Sequence, residues 1–323
     1  MKSSLIQLTP FGLSRLCLVL STLLFCPAIS PQDSPIVSPN PAKPVSPQGF
    51  KSSNFRKAGL EFIPPVWPPT DVDAAKVSVN ADVSCPLSKV LQGASNHATE
   101  FSANLDRFTA TEIIQSVDAQ KYGPWEHWRT RKFDYMAIVT HPRAGVAYVE
   151  ESRVAKDEVS PPKIRTEGLA VTILIFHPQN INDFEMVCEG MGEWHGKPSW
   201  TVHFAQKPGI PLNFQMIHAD DKRFGVKLKG RAWIAEDNYE IQHIDTDLLE
   251  QIPEIQLFTE HMGIDYGSVK FTNRNAYLWL PQQVEFSMEL GNRHFYNHHQ
   301  LTNFVLFSVG VQQDTKEPKL PNE

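Results

Sequence analysis

Apolar and polar residues alternate with a period of two through most of the second half of this 323-residue chain. In PQQVEFSMEL, which ends at residue 290, the apolar positions are Val284, Phe286, Met288 and Leu290. FGVKLKGRAWI, residues 224–234, follows the same rule. Successive side chains of a strand point to opposite faces, so these runs predict strands with one buried face and one solvated face. Such strands are typical of antiparallel sheets, and we expect about nine to eleven of them.

Two segments depart from this alternation. In CPLSKVLQGASNHATEFSANLDRF, residues 85–108, apolar residues recur every three or four positions after Pro86, which predicts one amphipathic helix. TEGLAVTILIFHPQN, residues 166–180, is apolar on nearly every side and ends near Pro178. Periodicity cannot distinguish a helix from a buried strand in so short a run, and both interpretations stay open.

A long antiparallel sheet twists and curls, and its apolar face must be covered. We therefore predict an α+β fold: a strongly curved antiparallel half-barrel with two or three helices on its concave face. Apolar side chains on two of the strands are candidates for lining a ligand cavity, although an ordinary packed core would produce the same pattern. These candidates are Trp200, Val202, Phe204, Val284, Phe286 and Met288.

The amino terminus resembles an export signal. Residues 1–30 contain Lys2 and Arg15, an apolar run and then small residues, in the order of a secretory signal peptide. The sequence favours a soluble exported form, periplasmic or extracellular, over a lipid anchor at Cys26, because Phe25 stands where lipoproteins need a small residue. Residues 31–81 are rich in proline and predict a disordered linker. The folded domain is predicted at 82–313, with a disordered tail at 314–323.

Removal of the signal leaves two cysteines, Cys85 and Cys188. An even pair in an oxidising compartment predicts a disulfide, and the alternative is two small buried apolar residues. The chain carries a net charge of −6 and has no broad basic face, so the sequence excludes nucleic acid as a partner.

The run GNRHFYNHHQLTNF, residues 291–304, contains three histidines. Its flanks alternate as strands do, and on a strand His294 and His298 lie about 13 Å apart while His299 faces the other way. One strand therefore cannot form a zinc site by itself, and we predict no metal and no cofactor. IDTD places Asp245 and Asp247 on one strand face, which we interpret as solvent-facing acids at a strand end rather than a catalytic pair. No familiar catalytic motif is present, so we predict no catalytic residues and no enzyme activity.

The order of segments in the second half resembles a known superfamily. VKLKGRAWIAEDNYEIQHIDTD is followed by HMGIDYGSVKF, AYLWLPQQVEFSMEL and TNFVLFSVGVQQ, and this order is similar to that of the periplasmic lipoprotein-carrier and lipoprotein-sorting proteins. The resemblance covers roughly residues 184–313. It implies an unclosed barrel covered by helices, with a cavity that binds acyl chains, and it implies no catalytic residue.

The sequence therefore predicts an exported, non-enzymatic binder or carrier of a lipid or acylated chain in the cell envelope. The alternative is an envelope scaffold with a packed interior that holds a protein partner. A hydrolase is the third hypothesis.

Overall fold

The computed structural model describes residues 69–80, 82–122, 125–156, 167–210, 215–219, 222–271 and 276–307. All of these residues lie in one compact unit. The predicted signal peptide, Cys26, most of the predicted linker and the predicted tail lie outside the described residues.

One α-helix, α1 (Leu87–Asn104), precedes twelve strands. The strands are β1 (Arg107–Gln120), β2 (Trp125–Arg143), β3 (Val146–Ala155), β4 (Phe184–Trp194), β5 (Lys197–Gln206), β6 (Met216–Ala219), β7 (Lys222–Gly225), β8 (Leu228–Ala235), β9 (Ile241–Leu248), β10 (Leu257–Phe271), β11 (Ala276–Leu290) and β12 (Arg293–Phe307). Short 3₁₀ helices span Thr172–Phe176, Ile181–Asp183 and Pro253–Ile255.

Ten strands form one antiparallel sheet in the order β3-β2-β1-β12-β11-β10-β9-β8-β5-β4, and β6 pairs only with β7. The sheet is open, because its first and last members, β3 and β4, do not pair with each other. The prediction of a large antiparallel sheet of nine to eleven strands is therefore confirmed.

The expected two or three helices are not confirmed: the described residues contain one α-helix. The second candidate helix, residues 166–180, contains only the 3₁₀ helix Thr172–Phe176, all five residues of which are buried. Side-chain bonds hold this irregular backbone: Thr172 Oγ1 donates to the carbonyl of Gly168, and Asn180 Nδ2 donates to the carbonyl of Leu174 at 2.8 Å. Because polar side chains satisfy these carbonyls, the segment can be buried without a regular helix.

A single apolar cluster joins all ten strands of the large sheet to α1. Nine strand spacings of about 4.8 Å would span about 43 Å in a flat sheet, whereas an 18-residue helix is about 27 Å long and about 10 Å wide. A helix of this size cannot cover the whole face by itself, and the buried residues 169–176 of the same cluster cover a further part. We call the face that carries this cluster the inner face and the opposite face the outer face.

The strands with the clearest alternation of apolar and polar residues in the sequence show the same alternation of buried and exposed side chains in the structure. On β11, Val284, Phe286 and Met288 are buried on the inner face. The turn between β4 and β5 places His195 and Gly196 at φ 48° and 76°, and a glycine at the second position suits this left-handed conformation.

The described end of the predicted linker, residues 69–80, lies against the outer face. The amide of Val72 donates to Asp247 Oδ2 at 2.6 Å, and the Val72 side chain is buried. Lys229 forms ion pairs with Asp71 and Asp73, and the amide of Asn80 donates to the carbonyl of Met191 on β4 at 2.7 Å.

Within the described part of the chain, no helix combines the length and the apolar character needed to cross a bilayer.

Candidate ligand-binding site

The six residues predicted to line a cavity all belong to the buried cluster on the inner face. They lie on two strands, β5 and β11. In the sheet, β8, β9 and β10 lie between these two strands. None of them is more than 6% exposed. The six are Trp200, Val202, Phe204, Val284, Phe286 and Met288. Their role in ligand binding stays a prediction.

Helix α1 covers part of the inner face through a narrow apolar stripe that includes Val90, Ala94, Ala98 and Phe101. Two of these four residues are alanines, so the helix contributes short side chains to this part of the core. On its polar side, His97 Nε2 lies 2.7 Å from the carbonyl oxygen of Asn238 in the β8–β9 turn.

The helix is attached at two further points. Cys85, just before α1, forms a disulfide with Cys188 of β4, with the two Cα atoms 6.3 Å apart. This confirms the predicted pairing. Gly93 packs directly on the ring of Tyr239, and an added Cβ would overlap that ring.

Residues 167–183 cover the inner face beside the helix. The amide of Ala170 donates to Glu151 Oε1 at 2.7 Å. The side-chain amide of Gln179 binds Ala147 on β3 twice, accepting from its N–H at 2.7 Å and donating to its carbonyl at 3.0 Å. This covering segment is therefore attached to the edge strand β3.

A small pocket opens where α1 meets the ends of β9 and β11. Its volume is about 80 Å³. The lining combines apolar and polar groups: His97, Glu100, Phe101, Ile173, Glu240, Ile241, Tyr277, Leu278 and Trp279. The sequence did not suggest this pocket, because the lining residues come from four separate segments.

A buried charged group lies on the inner face where β1, β3 and β12 contribute one residue each. Arg153 donates to Glu112 twice, from Nε at 2.6 Å and from Nη2 at 3.1 Å, and His299 Nδ1 lies 2.8 Å from Glu112 Oε1. Although burial opposes ionisation, Arg153 and His299 lower the pKa of Glu112 to about 2. Burial lowers the pKa of His299, so its ring is neutral at neutral pH.

Two tyrosines and a second glutamate extend this group. Arg153 lies over the ring of Tyr135, with Cζ 5.1 Å from the ring centroid. Burial raises the pKa of Tyr135 and of Tyr266 well above the usual value, and the charge of Glu151 raises both further. Burial also raises the pKa of Glu151, against the opposing effect of Arg153.

The three histidines singled out in the sequence lie on β12 with the alternation expected for a strand. His298 pairs with Glu285 and His294 with Glu289 across the sheet, while His299 pairs with Val284 of the inner face. His294 Nε2 is 3.6 Å from Glu289 Oε2, and His298 Nδ1 is 3.9 Å from Glu285 Oε1. Among the described residues, no group of three or more histidine, cysteine or acidic side chains could hold a metal ion.

Asp245 and Asp247 do share a strand face, but they are not solvated acids at a strand end. Asp245 Oδ1 lies 2.8 Å from His243 Nε2, and Asp247 Oδ1 lies 2.9 Å from His261 Nδ1. His243 Nδ1 lies 2.8 Å from Asp265 Oδ1 on its other side. The interpretation was wrong for two reasons: His243 lies two residues before Asp245 on the same strand, and strand register brings His261 of β10 opposite Asp247.

The ring of His243 also stacks on the indole of Trp194, with centroids 3.9 Å apart. Although burial opposes the charge, hydrogen bonds to Asp245 and Asp265 raise the pKa of His243 to about 9. This histidine is therefore a cation at neutral pH, held between two carboxylates.

Comparison with known proteins found no matching protein family and no matching curated protein. Solved structures with similarity include a DUF1329 family protein from Desulfovibrio piger (11% identity, 71% of this chain and 95% of that chain, TM-score 0.37). A putative outer membrane lipoprotein-sorting protein domain from Vibrio parahaemolyticus has 9% identity, covers 69% of this chain and 95% of that chain, and gives a TM-score of 0.34. A LolA superfamily protein from Nitrosomonas europaea has 9% identity, and the match covers 70% of this chain and 96% of that chain with a TM-score of 0.33.

The structural neighbours thus include the superfamily that the sequence resembles. Identities near one residue in ten and TM-scores below 0.5 are too low to transfer a function. The function must be argued from this chain's own residues.

Proposed function

We propose that this protein is an exported, non-enzymatic binder or carrier of a hydrophobic ligand, a lipid or an acylated chain, in the cell envelope. The observation that supports this proposal most is how the apolar face of the sheet is covered. Ten strands turn an apolar face inward, and among the described residues that face is covered by α1 and residues 167–183. The six predicted lining residues, Trp200 to Phe204 on β5 and Val284 to Met288 on β11, would form the walls of the ligand site.

The ligand would enter by displacing α1. A pocket for a small molecule has a volume of at least about 300 Å³. The pocket beside α1 has about 80 Å³, so a long chain needs more space than this arrangement offers. The helix contributes alanines at two of its buried positions, and it would leave behind apolar sheet surface that a ligand chain can cover.

Burial of apolar surface would drive binding at about 25 cal/mol per Å². A chain that buries about 300 Å² would gain about 7 kcal/mol before the cost of moving the helix. The disulfide at Cys85 keeps the amino-terminal end of α1 attached to β4 while the rest of the helix moves.

The direct test is to purify the protein from its native envelope and identify any bound lipid by mass spectrometry. The delipidated protein is then titrated with dansyl-labelled undecanoic acid, and probe fluorescence is followed. We expect saturable binding. Absence of both co-purified lipid and probe binding would refute the proposal.

The role of the helix is tested with Gly93→Ala. Alanine favours a helix by about 0.5–1 kcal/mol over glycine, but here its Cβ overlaps the Tyr239 ring and pushes the helix outward. We expect faster probe association than in the wild type. Gln92→Ala, at an exposed neighbouring position, is the matched control and leaves the rate unchanged.

The scaffold with a packed interior is the second candidate, and the filled inner face favours it. Every fully buried residue of the inner cluster is at most 8% exposed, as expected for a domain that holds a protein partner on its outside. Pull-down of one defined envelope protein, without any lipid binding, would support the scaffold over the carrier.

A further inference from the structure

The inner face carries polar groups that an ordinary apolar core does not need. Among the described residues, the buried atoms Tyr266 Oη and His299 Nε2 have no hydrogen-bond partner, whereas the Tyr135 hydroxyl and the Glu151 carboxyl are bonded to each other. A buried polar atom without a partner costs about 1–3 kcal/mol. Two such atoms in one region therefore cost free energy unless something binds them.

These atoms belong to one region although their strands are far apart in the sheet. Tyr266 is on β10 and Glu151 is on β3, five steps along the sheet order. The charge of Glu151 nevertheless reaches the Tyr266 hydroxyl, which the bending of the sheet explains. Tyr135 bonds Glu151, and Arg153 lies over the Tyr135 ring.

The hydrogen-bonding character of the group follows from its contacts. The ionised carboxylate of Glu112 can only accept, so His299 carries its proton on Nδ1 and presents Nε2 as an acceptor. Glu151 Oε1 accepts from the amide of Ala170, and the Glu151 carboxyl also bonds the Tyr135 hydroxyl. The two tyrosine hydroxyls both donate and accept.

The charge of the group disfavours an anion. Arg153 is the cation of the group, and it donates twice to Glu112. The remaining members are neutral or, in the case of Glu151, acidic. A phosphate or carboxylate would meet Glu151 with no second cation to balance it.

We infer that this group, Glu112, Tyr135, Glu151, Arg153, Tyr266 and His299, binds the uncharged, hydroxyl-bearing headgroup of the ligand. The inference rests on the proposed function and adds to it a headgroup class, as in a glycerol ester of a fatty acid. One hydroxyl of such a headgroup donates to His299 Nε2, and a headgroup oxygen accepts from the hydroxyl of Tyr266. The acyl chain then runs along the apolar inner face.

The test compares four ligands with the same twelve-carbon chain: monolauroylglycerol, methyl laurate, laurate and dodecylamine. Two net hydrogen bonds predict that the wild type binds monolauroylglycerol about tenfold more tightly than methyl laurate. Laurate should bind more weakly than methyl laurate at pH 8. Affinities are measured by displacement of a fluorescent chain.

The variant Tyr266→Phe removes a buried hydroxyl that has no hydrogen-bond partner among the described residues, so it should keep its melting temperature. Its preference for monolauroylglycerol over methyl laurate should fall from about tenfold to about threefold, since one of the two headgroup bonds is lost. Tyr122→Phe, on a tyrosine that is 92% exposed, keeps the wild-type preference and is the matched control. If the Tyr266 variant does not fold, Glu151→Gln provides the comparison, with a reduced preference expected.

The outcomes separate the two proposals. Equal binding of monolauroylglycerol and methyl laurate would mean that water or the group itself satisfies these atoms, and it would overturn the headgroup inference while the carrier proposal stands. Tighter binding of dodecylamine or laurate would overturn the choice of an uncharged headgroup. Binding of none of the four ligands would refute the carrier proposal and this inference together.

Discussion

Cys85 and Cys188 are joined across 103 residues, so that the start of α1 is bonded to the outermost strand of the sheet. A cross-link over a loop of about a hundred residues stabilises the folded state by up to about 4.7 kcal/mol in the chain-entropy model. We expect Cys85→Ser/Cys188→Ser to lower the free energy of unfolding by a few kcal/mol, measured by urea denaturation. The wild type in reducing buffer should show the same loss. An unchanged midpoint in both would contradict the prediction.

The pair Glu112–Arg153 offers a second test. Removing one partner of a buried ion pair leaves the other charge uncompensated, which costs about 3–5 kcal/mol. We therefore expect Arg153→Met to destabilise the protein strongly, and Glu112→Gln/Arg153→Met to recover part of the loss. Thermal melting of the two variants beside the wild type measures the difference. A double variant less stable than the single one would show that Glu112 is not the group left unpaired.

His243 makes stability depend on pH on the alkaline side. Its pKa of about 9 in the folded protein exceeds the ordinary value near 6.5, so its contribution is fully present below about pH 6.5 and is lost as pH rises through about 9. The contribution is at most about 3 kcal/mol. The groups around it are Asp245, Asp265 and, next to Asp245, His261.

Urea denaturation between pH 6 and pH 10 measures this effect. We expect wild-type stability to decline across the range and His243→Gln to show a shallower decline. His195→Gln, on an exposed histidine that also contacts Trp194, is the control and should follow the wild type. Identical slopes for the His243 variant and the wild type would refute the assignment.

Glu260 should destabilise the protein near neutral pH. Burial, with a further contribution from Asp247, raises its pKa to about 8, so folding requires the carboxyl to take up a proton above about pH 4.5. We expect Glu260→Gln to raise the melting temperature at pH 7–8 and to have little effect at pH 4.5. Glu254→Gln, at an exposed site, is the control. It should leave the melting temperature unchanged both at pH 7–8 and at pH 4.5. A lower melting temperature for Glu260→Gln at pH 8 would contradict this.

The strands and the first helix were predictable because each depends on neighbouring residues. The alternation around Val284 and the three-to-four spacing after Pro86 are local signals that survive in the folded protein. Residues 166–180 were ambiguous, since their backbone depends on bonds such as that from Asn180 to Leu174 rather than on a periodic pattern.

The polar part of the candidate site could not be predicted. Glu112 lies 41 residues from Arg153 and 187 residues from His299, and only strand register brings the three together. The same holds for His243 and Asp265, which belong to adjacent strands. A single sequence does not reveal which residues of distant strands lie opposite each other.

On both edge strands of the sheet, β3 and β4, some backbone hydrogen-bonding groups already have partners within the molecule. The side chain of Gln179 takes the N–H and the carbonyl of Ala147 on β3, and Asn80 takes the carbonyl of Met191 on β4. An edge strand with unpaired backbone groups is where copies of a β-rich protein pair with each other and aggregate. Because these positions are filled from within the same molecule, either edge offers fewer free backbone groups with which a second copy could pair.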